Sequence, residues 1–153
     1  MNRTHLAAIA VAACVLAPDA AAAQRLELTL APRIVSFPSS DPDTVPLVLA
    51  APVQVTFRIR QNNDAPWTLT VLANGDLIAG TATVDISNVS WAATPAPPFQ
   101  DGTLSSTVAQ TVASGIGNVN PARTGSVTFR LVNSWDYSAG NYTQTVVFTL
   151  TAP

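Results

Sequence analysis

The stretch Val53-Gln54-Val55-Thr56-Phe57-Arg58-Ile59-Arg60 decides the fold class. Its apolar side chains fall on every second residue, the period of a strand with one dry face and one wet face. Val53, Val55, Phe57 and Ile59 face a core, while Thr56, Arg58 and Arg60 face water. A slip of one residue would bury both arginines, so the cost of desolvating charge sets the register.

Working outward, the same alternation recurs along the chain. Leu26 to Leu30, Trp67 to Leu72, Thr81 to Ile86, Val89 to Ala92, Leu104 to Ala113, Ser126 to Val132 and Tyr142 to Thr151 read as strands, with Leu47 to Leu49 as a further short one. Turn chemistry separates them: Asp41-Pro42-Asp43, Asn62-Asn63-Asp64, Asn74-Gly75-Asp76, Asp101-Gly102, Gly115 to Asn118 and Gly140-Asn141. Pro95-Ala96-Pro97-Pro98 reads as an extended connector, because proline donates nothing to a ladder. No stretch after residue 23 has helical apolar spacing. About seven to nine short strands at this spacing predict an all-β, two-sheet immunoglobulin-like sandwich occupying residues 24–153 as one domain. Val55 to Ile59 is echoed by Val127 to Leu131, and Trp67 to Val71 by Phe148 to Thr151. Convergent alternation in hairpins facing one core accounts for both echoes.

The first two dozen residues have the layout of a secretory signal helix. Arg3 supplies the positive charge, Leu6 to Ala17 the apolar run, and Ala20 to Ala23 the small residues that a signal peptidase accepts. The expected cut lies between Ala23 and Gln24. At 12 residues the apolar run is too short to cross a hydrocarbon core of about 30 Å as a helix. No later stretch is long enough to be a transmembrane segment, and the C-terminus carries no anchoring signal. Val11-Ala12-Ala13-Cys14 also fits a lipobox loosely, which leaves a lipid anchor through Cys14 as the alternative to a soluble secreted product.

Removing residues 1–23 takes away the only histidine (His5), the only cysteine (Cys14) and the only methionine (Met1). No lysine is present anywhere. A disulfide, an ordinary zinc site, Ser-His and Cys-His nucleophile pairs and Schiff-base chemistry are thereby closed to the remaining domain. The sequence predicts no enzyme, no cofactor and no catalytic residue. Charged residues make up 10% of the chain. Setting aside Arg3 and Asp19 leaves six arginines against eight acids, without the basic stripe that nucleic acid needs. Such a neutral polar surface leaves self-assembly open. Asp41, Asp43 and Asp64 with Asn62 and Asn63 are the oxygen donors a calcium ion would use, but their spacing is that of turns, and no metal is predicted. Trp67 and Trp91 read as core. Trp135 and Tyr137 sit in a polar loop beside Ser134 and Ser138, where exposed rings could contact a sugar or where Trp135 could fold back over the sandwich end.

Two resemblances follow from particular residues. Trp67-x-Leu69, with a late Tyr142 followed by Phe148-x-Leu150 and Pro153, resembles the WxL domain of bacterial surface proteins. That resemblance implies a β-rich domain held non-covalently on the cell wall, with peptidoglycan polysaccharide or other surface proteins as partners. Ala139 to Val146 resembles the final hairpin of spore coat protein U and fimbrial-type subunits, which are sandwiches completed by a neighbour's strand. It implies a subunit of a surface fibre, with Leu26 to Leu30 as a strand that could be donated. The expectation is therefore a secreted, non-catalytic surface or envelope domain, structural or wall-associated, with a fibre subunit and a small carbohydrate-binding module as alternatives.

Overall fold

A computed structural model describes residues 6–15, 25–61 and 64–153. The expected cut site and the Asn62-Asn63 turn lie outside these described residues. The chain forms strands β1 (Leu6–Val15), β2 (Arg25–Ala31), β3 (Ile34–Phe37), β4 (Leu47–Leu49), β5 (Val53–Arg60), β6 (Pro66–Ala73) and β7 (Leu77–Ala79). It continues with β8 (Ala82–Val84), β9 (Val89–Thr94), β10 (Gly102–Thr103), β11 (Gln110–Ile116), β12 (Val119–Val132) and β13 (Asn141–Thr151). They build two sheets. Sheet A has seven strands in the order β11-β6-β13-β1-β3, with β7 set against β13 and β8 against β7. Sheet B has six, in the order β10-β9-β12-β5-β2, with β4 set against β12. This is the expected all-β sandwich, with more strands than expected because several are only two to four residues long.

The core lies between the sheets and is made by the alternation. Val53, Val55, Phe57 and Ile59 of β5 are all buried, and so are Trp67, Leu69 and Val71 of β6. Phe57 meets Trp67 at a ring-centroid distance of 5.0 Å and Phe99 at 5.8 Å. These tilted and edge-on contacts are favoured by the ring quadrupoles. The echoed segments lie on neighbouring strands. β5 pairs antiparallel with β12, and Phe148 and Leu150 stand opposite Val71 and Leu69.

Four local expectations change. Thr81 to Ile86 is strand only over Ala82–Val84, which Gly80 at φ +62° turns back on an unexpected short strand, Leu77–Ala79. The chain then enters a single 3₁₀ turn at Ile86–Asn88, whose cap Asp85 accepts a 2.8 Å hydrogen bond from Ser87 N. Leu104 to Val108 is a loop, since Ser105 Oγ accepts from the amides of Thr107 and Val108 and diverts them from a ladder. Pro95 to Pro98 is a compact turn closed by the amide of Phe99 on the carbonyl of Pro95, and it delivers Phe99 to the core. β12 begins earlier than its apolar alternation, because β5 offers it an edge from Ile59 back to Val53.

The largest change is at the N-terminus. Leu6–Val15 is a strand and not the expected signal helix. It pairs parallel with β13 over ten residues, from Leu6 opposite Asn141 to Val15 opposite Leu150, and antiparallel with β3. The physical reason is the place it fills. In an immunoglobulin-like sandwich one sheet runs A-B-E-D and the other C-F-G. Here β2, β5, β12 and β9 take the first four places, and β6 and β13 take C and F. A G strand joined to F by a hairpin would run antiparallel to it. β1 reaches that place from the other end of the chain, and it runs parallel.

Candidate functional site

The feature that stands apart from ordinary sandwich packing is the slot between β13 and β3. β13 offers it a long edge with Tyr142, Val146, Phe148 and Leu150 turned inward. β3 offers the opposite edge, with Val35 and Phe37 turned inward. Among the described residues β3 pairs with no strand except β1. Into this slot β1 places Ile9 and Val11, both buried. Ile9 stands opposite Gln144 on one side and Val35 on the other. Beyond the β3 ladder the amide of Val11 donates a 2.8 Å hydrogen bond to the carbonyl of Arg33. Burying two such side chains stabilises the sandwich by about 1.5–3 kcal/mol each, and the ladder satisfies backbone groups on both flanking strands. Without a strand here, β13 and β3 would present unpaired edges over exposed apolar side chains.

The residues singled out in the sequence occupy different places. Trp67, Leu69, Tyr142, Phe148 and Leu150 are all buried. Tyr142 Oη donates a 2.9 Å hydrogen bond to the carbonyl of Ser138, and the buried Trp67 Nε1 has no hydrogen-bond partner among the described residues. They are core side chains, and Tyr142 and Phe148 belong to the wall of the slot. Trp135 is 48% exposed, and its Nε1 donates to Asp43 Oδ1 at 3.0 Å. Tyr137 is half-buried and packs against the core. With Phe37, Val48, Leu77, Val84 and Tyr142 it lines a recess of about 20 Å³ at the sandwich end. That is space for roughly one water, not for a sugar ring. Burial, followed by the negative charge of Asp136, pushes the Tyr137 phenol above its ordinary value. Trp135 is thus an exposed ring tied to Asp43, and Tyr137 a half-buried one packed on the core.

Of the calcium donors, Asn62 and Asn63 lie outside the described residues. Asp41 Oδ1 accepts from the amide of Asp43, as an Asx turn requires, while Asp43 holds Trp135. Among the described residues no three acidic, histidine or cysteine side chains form a metal-sized group. Leu26 to Leu30 is not free to be donated. β2 pairs with β5 from Arg25 opposite Arg60 to Ala31 opposite Gln54, and Leu30 is buried. Glu27 on its outer face holds Arg25 at 2.7 Å and Arg58 at 3.8 Å.

Sequence reasoning missed β3 and the slot. Ile34-Val35-Ser36-Phe37 is too short to show alternation convincingly, and β1 is apolar at every position, so its two faces look alike. No helix among the described residues is long and apolar enough to cross a membrane. No protein-family model and no curated protein matches the chain.

Proposed function

We propose that this protein is an exported, non-catalytic surface or envelope domain that works as a subunit, joining another protein by accepting one of its β-strands. The observation that carries this reading is the identity of the strand in the slot. Leu6–Val15, most of the run Leu6 to Ala17 that reads in the sequence as the apolar part of an export signal, is the segment that completes sheet A. A cut between Ala23 and Gln24 would remove it and leave β13 and β3 with open edges. Exposed edges of this kind attract another strand, and main-chain pairing with alternate side-chain pockets is an established mode of recognition. The resemblance of Ala139 to Val146 to fimbrial-type subunits points the same way, because that hairpin leads into β13. The WxL resemblance rests on residues that serve the core, and it adds no separate surface for a wall polymer.

The test begins from the folded full chain carrying a protease site in place of Ala20–Ala23. After cutting, the N-terminal fragment is expected to remain bound and to be displaced by an excess of labelled peptide spanning residues 2–15 with Cys14→Ser. A fragment that leaves at once, with no uptake of peptide by the remaining domain, would refute the strand-accepting role.

A further inference from the structure

The outer face of the slot is poorly filled by the strand that occupies it. Ala10 points outward there, opposite Ile34 on β3 and Thr145 on β13. Ile34 is 73% exposed, and Ile78, which stands opposite Thr143 on the far side of β13, is 48% exposed. Between these two isoleucines runs a trough of about 470 Å³, floored by Ala10, Thr143, Gln144 and Thr145. Large β-branched side chains on a wet sheet face are stabilised by cross-strand neighbours of matching size. Ile34 has only a methyl group beside it. The inner face does not share this shortfall, since Ile9 and Val11 are buried against the core.

We propose that the strand of a second protein which takes the place of Leu6–Val15 presents a large apolar side chain outward at the position of Ala10, seated between Ile34 and Ile78. This rests on the strand-accepting role proposed above. The occupant is then an extended segment with β-branched residues at the positions of Ile9 and Val11, facing in, and an Ile-sized or larger residue between them, facing out. Three consecutive large apolar residues would mark it. The segment Leu6–Val15 has Ile9-Ala10-Val11 at these positions and so fits the slot without filling the trough. A partner's strand gains affinity over it from the outward contact alone.

The experiment uses the same folded and cut full chain, with labelled peptides spanning residues 2–15 and carrying Cys14→Ser. One peptide adds Ala10→Ile and another adds Ala12→Ile. Ala12 is also exposed and lies opposite Val147, but it has no neighbour on β3, so it reports the general preference of isoleucine for strands. The Ala10→Ile peptide is expected to bind about five- to tenfold more tightly than the parent, and at least about threefold more tightly than the Ala12→Ile peptide. In the uncut chain Ala10→Ile should likewise raise the thermal midpoint above that of Ala12→Ile. Equal gains from the two substitutions, or a loss with Ala10→Ile, overturn the trough assignment and leave the slot itself standing. Failure of every peptide to enter removes the strand-accepting role and this inference with it.

Discussion

Trp67 lies flat over Gly115, its cross-strand partner, so closely that a β-carbon on the glycine would stand 2.5 Å from Cζ2 of the indole. The same relation recurs where Trp91 covers Gly102 and where Phe99 covers Gly125. Each large ring gains its place in the core because the strand beside it omits a side chain. This is a steric requirement of the ring and not of the backbone. It predicts that Gly115→Ala, which displaces the Trp67 ring, destabilises the protein by about 1–3 kcal/mol. Chemical denaturation measures this directly, and an unchanged midpoint would mean that the ring does not lie there.

The place of β1 in the core gives a second prediction. Ile9 is fully buried between Gln144 and Val35, so Ile9→Ala in the full chain should cost about 2–5 kcal/mol. Ala12→Ser, on the exposed face of the same strand, should change stability by less than about 0.5 kcal/mol. Equal and negligible effects at both positions would show that Leu6–Val15 contributes nothing to the folded domain.

The tryptophans divide by burial. Trp67→Ala removes a ring that is 3% exposed and packed on Phe57, with an expected loss of about 3–5 kcal/mol. Trp135→Ala removes a half-exposed ring whose polar contact is the hydrogen bond to Asp43, with an expected loss of about 0.5–1.5 kcal/mol. If Trp135→Ala unfolded the protein, its loop would be part of the core rather than a cover at the sandwich edge.

Alkaline pH should weaken the fold through Tyr137. Its phenol is held above the ordinary value of 10.0 by burial and then by Asp136, so the native state keeps this proton after the unfolded chain has begun to lose it. Stability is present in full below the ordinary value and declines as pH rises through it toward the native value. Tyr137→Phe should flatten that decline when unfolding is followed against pH. A decline of the same steepness in the variant would assign the effect elsewhere.

Much of this architecture is legible in single segments. The eight residues from Val53 to Arg60 specify a strand, its inward face and its register by themselves, because burying an arginine costs more than any alternative pairing returns. The same reasoning places Trp67, Leu69, Phe148 and Leu150 in the core. The losses came where a local pattern was overruled from outside. Leu104 to Val108 has strand-like residues, but a serine side chain captures its amides. Val119 to Gly125 lacks apolar alternation, yet it pairs because β5 presents an edge beside it.

The amino-acid sequence alone determined the composition of the core faces, the all-β class and the confinement of the only histidine, cysteine and methionine to the first 23 residues. These follow from side-chain chemistry read one segment at a time. Only the tertiary structure decided what Leu6–Val15 does in the folded chain. A run that is apolar at every position can be helix or strand, and its own residues do not choose. The choice is made by the vacant place between β3 and β13, where two edges supply hydrogen bonds and Val35, Val146 and Phe148 supply a dry floor. That vacancy is assembled from segments more than a hundred residues apart, and hydrogen-bond demand across such a distance leaves no periodicity for the sequence to display.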